Sequence, residues 1–455
     1  MDMRNILKCI IMTLMLSFSL AALSQNVSVR ETYKVKKKDT VYGIAHKFGI
    51  SIDELLAANP GATDADFNLK KGMTLNIPFP KTTVAPANSG SSSSQQAQQT
   101  TKSKYAVTVG VMLPLHNNDG DGRRMLEYYR GVLMACDSMH NAGISTAVYA
   151  WNVAADKNID DILSDKNAKA CDIIFGPLYT TQVAKLADFC KRNRIKLVIP
   201  FSIGGNDVAT NPNVFQIYQS QTRINTRAVD AFLERFHGKH IVFVDCNDTT
   251  STKGPFTQEL RKRLDAMGLK YSITNLKSSE ANFAKAFSSD GTNVVVLNTG
   301  RSPELNIAFA KLNSLRVSNP SLKVSMYGYT EWLMYTKVYL DLFHKYDTYI
   351  PTTFYYNPVN TTTARFETLY REHFRSDMQQ ALPRFAITGF DHAQFFIRGM
   401  KKYGEAFSGM KSQVSYTPVQ AGLKFERATA SGGMQNCAFM LIHYKNDGGT
   451  ETINY

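Results

Sequence analysis

The chain has 455 residues, of which 44% are hydrophobic and 20% are charged, which is enough for two or three folded domains and excludes a wholly disordered protein. Its formal charge of +14 favours anionic surroundings such as cell-wall polymers or lipid headgroups, although a basic surface kept for solubility explains the charge equally well. Nucleic acid is not expected as a partner, because no basic stripe is interleaved with aromatic residues.

The first 24 residues have the composition of a secretory signal peptide. MDMRNILK is basic, CIIMTLMLSFSLAAL is apolar, and a cleavage point follows Ser24. Cys9 precedes most of the apolar run, so a lipoprotein cleavage site is not supported. No later segment offers about 18 uninterrupted apolar residues, and no transmembrane segment is expected in the mature chain. We therefore expect an exported protein that is periplasmic or associated with the cell wall.

Residues 33–78 have the pattern of a small module in the order strand, helix, helix, strand. Alternating apolar residues open the module, and side-chain oxygens suited to an N-cap precede the first apolar helix face. The defining residues are Tyr33 and Val35 in the first strand, Asp39 and Thr40 at the N-cap, Ile44, Ala45 and Phe48 in the first helix, Leu55 and Leu56 in the second, and Leu75 and Ile77 in the last strand. So small a unit is not expected to be an enzyme.

This module resembles the LysM domain. The family's opening Y-x-V-x-x-G-D-T-L-x-x-I-A-x-x-(F/Y)-G, centre L-x-x-x-N and close G-x-x-L-x-I-P are matched, except that Lys38 replaces Gly and Val41 replaces Leu. The resemblance implies binding to glycan that contains N-acetylglucosamine, chiefly peptidoglycan in bacteria. It implies a groove between two loops, formed here by Asp39, Thr40, Val41, Tyr42, Asn59, Pro60 and Gly61. Alternatively, Thr40 only caps a helix and Asn59 only helps to form a turn.

A polar segment separates the small module from the rest of the chain. Between residues 80 and 104, Ser, Gln, Thr and Ala replace nearly every bulky apolar residue, so burial cannot offset the entropy of ordering. We expect a flexible tether with a root-mean-square span of about 25 to 30 Å. The expected domains are a signal peptide over 1–24, the small module over 33–79, the linker over 80–104 and a large domain over 105–450.

The large domain alternates near-continuous apolar strands with amphipathic helices, which indicates parallel sheets covered on both faces. We expect one lobe over about 105–220, with a later return, and a second over about 221–350. The segments VGVMLPLHNNDGDGRRMLEYYRGVLMACDSM, IIFGPLYTTQVAKLADFCKRNRIKLVIPFS and ITGFDHAQFFIRGM resemble type I periplasmic binding proteins, the family of the branched-chain amino acid receptors. The expected fold class is therefore α/β, with a βααβ LysM module joined to a two-lobed type I periplasmic-binding-protein fold.

That resemblance implies a ligand cleft between the lobes, at the C-terminal ends of their strands. The candidate residues that follow these strands are Thr180, Thr181, Ser202, Gly204, Asp245, Asn247, Asn298, Thr299 and Tyr329. The threonines are equally suited to capping a helix, and Tyr329 and Trp332 are suited either to stacking on a ligand or to packing. Because Asn298 is uncharged, an amino acid's ammonium lacks an acidic partner there, which weakens the amino acid interpretation.

The sequence contains no recognised catalytic or metal-binding motif. HExxH, GxSxG, Walker A and GxGxxG are absent, and a calcium-like run from Asn117 to Gly122 has Tyr128 where the twelfth position needs Glu. Of six cysteines, five follow the signal peptide, and none forms a CxxC pair, so we expect them to be buried and inert. We expect no cofactor, no metal and no enzymatic activity.

Together these features predict an exported peptidoglycan-binding protein that is not an enzyme. Its partners would be peptidoglycan glycan strands and a small solute, such as an amino acid, a muropeptide or a sugar, on which the two lobes close. The alternative is a non-enzymatic cell-wall scaffold whose receptor-like domain binds a protein, such as a wall-synthesis or transport protein. A wall hydrolase is least favoured, because no catalytic motif is matched.

Overall fold

A computed structural model describes residues 29–36, 41–48, 50, 55–56, 58–59, 69–78, 106–202, 204–413 and 416–455. The chain divides into two units after Gln98. The predicted signal peptide and the predicted linker lie outside the described residues. No helix within the described ranges is both long enough and apolar enough to span a membrane.

The small unit contains a two-stranded antiparallel sheet and a helix that shares its core. Strand β1 (Val29–Lys34) pairs with β2 (Thr74–Pro78), and α1 (Val41–Phe48) follows β1. Residues 55–56 are helical and Ala58 lies in a turn, and residues 51–54 and 57 of the predicted second helix lie outside the described residues. The buried core comprises Val35, Ile44, Ala45, Ile50, Leu55, Leu75 and Ile77. The apolar positions of the sequence pattern therefore face one another, as amphipathic periodicity requires.

The described residues of the large unit contain fourteen strands in two seven-stranded sheets. In chain order they are β3 (Val107–Leu113), β4 (Thr146–Asn152), β5 (Ile173–Phe175), β6 (Lys196–Ile199), β7 (Val214–Gln216), β8 (His240–Asp245), β9 (Tyr271–Asn275), β10 (Thr292–Leu297), β11 (Lys323–Tyr327), β12 (Thr348–Thr352), β13 (Phe425–Arg427), β14 (Met434–Asn436), β15 (Met440–Tyr444) and β16 (Thr450–Asn454). The first sheet has the order β13-β14-β7-β6-β5-β3-β4, and the second has the order β16-β15-β12-β11-β10-β8-β9. The five consecutive strands β3–β7 therefore have the same order in their sheet as β8–β12 have in theirs, and the added C-terminal strands differ in direction.

Helices connect the strands of both sheets. They are α2 (Gly120–Asn141), α3 (Asp160–Ser164), α4 (Lys166–Lys169), α5 (Thr180–Asn193), α6 (Asp207–Thr210), α7 (Gln221–Arg235), α8 (Gly254–Ala266), α9 (Glu280–Ala284), α10 (Ser302–Ser318), α11 (Thr336–Lys345), α12 (Thr361–Phe374) and α13 (Phe385–Tyr403), and short 3-10 turns cover Thr330–Tyr335, Gly404–Ala406 and Lys411–Gln413. Strands joined by helices must pair in parallel, because the helix returns the chain to the starting edge.

The edges of both sheets depart from the predicted parallel arrangement. β13 pairs antiparallel with β14, β15 pairs antiparallel with both β12 and β16, and the inner strands are parallel. The short turns after β13 and β15 leave no room for a crossover helix, so these connections form hairpins. The chain crosses between the lobes over residues 217–220, 353–360 and 437–439.

Helices α2 and α13 pack at very close range in the first lobe. A Cβ at Gly131 would lie 1.8 Å from the Ala386 carbonyl oxygen, and a Cβ at Gly389 would lie 2.0 Å from the Tyr128 carbonyl oxygen. Any side chain at either glycine would therefore separate the two backbones. This contact explains why glycine stands in the segment at 389–393 that resembles the receptor family.

Groups that superficially suggest chemistry have structural roles here. The Asp119 side chain accepts from the N–H of Gly122 at 2.7 Å and caps α2, so the calcium-like run contains a helix cap. The five cysteines in the described residues (Cys136, Cys171, Cys190, Cys246 and Cys437) are free and buried, as predicted. Among those same residues, no group of three or more His, Cys, Asp or Glu side chains is arranged to hold a metal ion.

Candidate functional site

In the small unit, the Asn59 side chain joins the end of the second helix to strand β2. Its Nδ2 donates to the carbonyl oxygens of Leu55 and Asn76, and its Oδ1 accepts from the N–H of Asn76, each at 2.8 Å. Of the other predicted glycan-binding residues, Val41 and Tyr42 begin α1. Asp39, Thr40, Pro60 and Gly61 lie outside the described residues. Asn59 therefore links the described end of the second helical segment to β2.

In the first lobe, three predicted cleft residues meet after strands β5 and β6. The hydroxyl oxygens of Thr180 and Ser202 are 2.9 Å apart, and the N–H of Gly204 donates to Ser202 Oγ at 3.3 Å. A Cβ at Gly204 would lie 1.9 Å from Thr180 Cγ2, so glycine permits this approach. The N-cap of α5 is Tyr179 and not a threonine, and Thr181 is exposed. The Thr180 hydroxyl thus bonds the neighbouring loop and does not cap its helix.

In the second lobe, four predicted residues meet at the ends of β8 and β10. Asp245 Oδ1 accepts from the N–H of Asn247 and from Asn298 Nδ2, each at 2.9 Å. Thr299 donates its hydroxyl to the Asp248 carboxylate at 2.7 Å, and hydrogen bonds from two threonine hydroxyls lower the pKa of Asp248 to about 2. Connections from β8 and β10 leave in opposite directions, which is where open α/β sheets form ligand crevices.

The two aromatic candidates of the second lobe belong to its core. Tyr329 is buried and donates its hydroxyl to the Leu297 carbonyl oxygen at 2.5 Å. Trp332 is fully buried and stacks on Phe343, with ring planes 3° apart and centroids 5.9 Å apart. Neither ring is available to stack on a ligand in this arrangement, so packing within the lobe is the role that the structure gives them.

A cavity of about 410 Å³ lies between the two lobes, beside the crossing segments. It is bounded by residues that follow β6 and β7 in the first lobe and β11 and β12 in the second. Large apolar side chains from both lobes line it, among them Phe201, Ile217, Met334, Phe354, Phe385 and Leu423. None of the nine predicted cleft residues lines this cavity, although Ser202 and Gly204 follow β6 and Tyr329 follows β11.

Two ionisable side chains reach this inter-lobe cavity. The carboxylate of Glu331 lies 2.5 Å from Lys253 Nζ and is therefore paired. His392, on α13, is buried with its Nδ1 3.0 Å from the Tyr128 hydroxyl. Burial lowers the pKa of His392 to about 3, so its ring is neutral at physiological pH. Among the residues that line the cavity, none offers a free positive charge.

The Asp391 carboxylate holds the segment that closes one side of the cavity. Oδ1 accepts from the Tyr416 hydroxyl at 2.6 Å and the Val419 N–H at 2.8 Å, and Oδ2 accepts from the N–H groups of Gln420 and Ala421 at 2.9 and 3.0 Å. Burial raises the pKa of Asp391, and the four donors oppose that rise. Since both oxygens accept, the group is a carboxylate. Ala421 itself lines the cavity.

The family model of the LysM domain matches residues 33–78. Residues 33–78 are a LysM domain. The match contains α1 and β2, together with the Asn59 side chain that joins Leu55 to β2. Comparison of the chain with curated proteins gave no match.

The large unit resembles solved two-lobed binding proteins. A Rhodospirillum rubrum protein named as a branched-chain amino acid ABC transporter has a TM-score of 0.51 at 13% identity, covering 76% of this chain and 100% of that one. A branched-chain amino acid ABC transporter periplasmic ligand-binding protein from Burkholderia xenovorans has a TM-score of 0.44 at 15% identity, covering 76% and 94%. The first likeness confirms the predicted fold, and at this identity it shows the fold alone.

The residues that line the cavity were missed by reading the sequence. They come from strand ends in both sheets, from two crossing segments and from α13, which are far apart along the chain. One signal did lie beside them: the segment GFDHA, residues 389–393, contains both His392 and Asp391. In the sequence, only its family resemblance distinguishes this segment, and it is the fold that brings His392 to the cavity wall.

Proposed function

We propose that the protein is an exported, non-catalytic receptor of the cell wall. Its LysM domain binds peptidoglycan glycan through N-acetylglucosamine, and its large unit binds a small solute by closing the two lobes. The proposal of solute binding rests on the cavity of about 410 Å³, whose walls are formed by side chains of both lobes. A solute that contacts both lobes favours the closed state, because it binds that state more tightly than the open one.

The proposed location is the periplasm or the cell wall. It is supported by the basic and apolar start of the chain, which is typical of secretory signal peptides, and by the LysM domain. In that compartment the formal charge of +14 adds attraction to anionic wall polymers. Solute capture near the wall would allow handover to a transport protein.

Lobe closure is tested by measuring a distance between spin labels on the two lobes. Lys191→Cys on α5 and Lys262→Cys on α8 introduce exposed thiols, and the five cysteines of the described residues are buried and will label poorly. The mature chain is titrated with amino acids, muropeptides and sugars while the distance and the melting temperature are followed. A saturable shortening of the distance supports the proposal. No change with any of these solutes, nor with the uncharged probes described below, would refute the receptor function.

Glycan binding is tested separately by sedimentation of the mature chain with purified peptidoglycan. We expect the full chain to sediment and a chain that lacks residues 33–79 to remain in solution, because the LysM match lies within that span. Equal sedimentation of both chains would show that the wall-binding surface lies outside residues 33–79. Release of soluble fragments from the wall would contradict the non-catalytic assignment.

A second candidate function is docking of a wall-synthesis or transport protein on the second lobe. It is favoured by two apolar side chains with large exposed fractions, Met334 at 58% and Val338 at 74%. Val338→Glu should then abolish capture of that partner while leaving the melting temperature unchanged. If no solute closes the lobes and this substitution has that effect, the scaffold function replaces the receptor function.

A further inference from the structure

The inter-lobe cavity has mainly apolar walls, which indicates the bulk chemistry of its solute. Phe201, Phe354 and Phe385 contribute aromatic surface, and Leu382 and Leu423 contribute aliphatic surface. Binding an apolar solute there removes apolar surface from water on both partners. A highly hydroxylated solute such as a free sugar would instead lose hydrogen bonds to water that these walls cannot replace.

A charged solute is also disfavoured by the residues that line this cavity. Glu331 is the charged residue among them, and its carboxylate is paired with Lys253 Nζ at 2.5 Å. The zwitterion of a free amino acid would bring a carboxylate that finds no unpaired cation on these walls. Burial of an unpaired charge is costly, so the expected solute is uncharged.

The hydrogen bond between Tyr128 and His392 determines which ring nitrogen of His392 carries the proton. Tyr128 is fully buried, and burial raises the pKa of its phenol well above the usual range, so the hydroxyl keeps its proton. Within the described residues the hydroxyl has no acceptor other than His392 Nδ1, at 3.0 Å. If it did not donate there, a buried donor would be left unsatisfied. Nδ1 is therefore the acceptor, and a neutral ring then carries its proton on Nε2.

His392 thereby presents a hydrogen-bond donor at the cavity. The residue lines the cavity wall, and in the described part of the chain no group bonds its Nε2. A second unpartnered group belongs to Gln219, in the first crossing segment. Its Nε2 donates to the Ala438 carbonyl oxygen at 2.8 Å, which orients the side-chain amide, and its Oε1 is buried without a partner among the described residues. Gln219 also lines the cavity, so His392 and Gln219 together supply the wall with an unpartnered donor and an unpartnered acceptor.

We infer that the cavity binds an uncharged, apolar solute that carries an amide group. The amide oxygen accepts from His392 Nε2–H, and the amide N–H donates to Gln219 Oε1. An amide supplies both groups without a net charge, which matches the His392 donor, the Gln219 acceptor and the mainly apolar walls. This inference rests on the solute-binding function proposed above and names the class of solute for the same cavity.

The test compares three probes by calorimetric titration of the full mature chain. N-benzylacetamide carries a phenyl ring and an amide. 4-Phenyl-2-butanone has the same shape with CH₂ in place of the amide N–H, and phenylalanine has a similar ring with ionised groups. We expect the amide to bind, the ketone to bind about tenfold more weakly, and phenylalanine to bind more weakly than either. Phenylalanine binding more tightly than the amide would overturn the inference.

Two substitutions assign the polar contacts. His392→Phe should weaken the amide and the ketone alike by about tenfold, and Gln219→Leu should weaken the amide to the level of the ketone. His373→Phe is the matched control, because His373 lies on α12 with an exposed side chain and should have no effect. Circular dichroism melts check that each variant is folded. Unchanged amide binding in a folded His392→Phe variant would overturn the inference.

Nitrogen NMR of the histidine rings tests the tautomer in the unsubstituted protein, so that the inference does not depend on a variant that folds. A protonated Nε2 in His392 whose resonance moves with N-benzylacetamide is the expected result, and a protonated Nδ1 would overturn it. If N-benzylacetamide does not bind while another solute shortens the distance between the spin-labelled lobes, the inference of an amide solute is refuted and the receptor function stands. If neither these probes nor any other solute binds, both fail.

Discussion

Replacing Asp391 by asparagine tests whether one buried carboxylate holds the segment over the inter-lobe cavity. The substitution preserves the size of the side chain and changes its hydrogen bonding. In the native protein each carboxylate oxygen accepts two bonds, from the Tyr416 hydroxyl and three backbone N–H groups. Asparagine has one oxygen and one NH₂ group, so two of these donors would face another donor.

The size of the effect follows from those two lost bonds. Hydrogen bonds to a charged group contribute about 1.5 to 3 kcal/mol each, so Asp391→Asn should lower the free energy of unfolding by about 3 to 6 kcal/mol. The unfolding entropy is about 2.1 cal/mol/K per residue, and the large unit has roughly 350 residues. The lost free energy of unfolding therefore corresponds to a fall in melting temperature of about 4 to 8 °C.

Scanning calorimetry of the full chain measures this fall, and hydrogen exchange of residues 416–421 reports whether the segment opens. Tyr416→Phe removes a single bond and should cost less than half as much. Asp377→Asn, at an exposed carboxylate paired with Arg371, should leave the melting temperature nearly unchanged. If Asp391→Asn cost no more than Tyr416→Phe, the carboxylate would not be what secures the segment.

Three further predictions concern the packing, the LysM domain and the pH dependence. Gly131→Ala should destabilise the large unit by about 1 to 3 kcal/mol, because its Cβ would lie 1.8 Å from the Ala386 carbonyl oxygen. Gly120→Ala, whose Cβ meets nothing nearer than 3.7 Å, is the control in urea titrations, and equal stability of the two variants would contradict the close packing. Asn59→Ala should remove three hydrogen bonds that contribute about 1 kcal/mol each. The LysM domain should then unfold, and sedimentation with peptidoglycan should be abolished. Normal sedimentation of this variant would show that the Asn59 side chain is dispensable. Burial raises the pKa of Glu127 from 4.5 to about 7 in the folded state, so its contribution to stability is fully present below pH 4.5 and is lost as the pH rises through about 7. The stability of the parent relative to Glu127→Gln should therefore fall by about 3 kcal/mol between pH 4 and pH 8, and a constant difference would refute the assignment.

Local pattern was enough to predict much of the fold. The Y-x-V opening and the L-x-I-P close of the LysM domain are short-range signals, and the buried residues Ile44, Ala45 and Leu75 occupy the positions that the pattern assigned to the core. In the large unit, apolar runs and amphipathic helices predicted the α/β lobes, because side-chain periodicity is a property of each element alone. The antiparallel edge strands were not predicted, because the direction of a strand depends on which neighbouring strand it pairs with in the folded protein.

The candidate site shows the limit of that reasoning more clearly. Strand ends predicted that polar residues would gather at the edges of the sheets, and Thr180 and Ser202 do lie together. The same logic selected Tyr329 and Trp332, yet both rings fill the core of their lobe, since nothing in a short segment reveals which way a side chain points.

The sequence by itself determined the LysM domain, the alternation of strands and helices and the two lobes, because each depends on residues close together in the chain. Only the tertiary structure decided where the inter-lobe cavity lies. Its walls join Phe201 to Phe354 and bring His392 from α13 to the same space. Those contacts depend on how two sheets and three crossing segments pack, and packing is a relation between distant residues that no local pattern encodes.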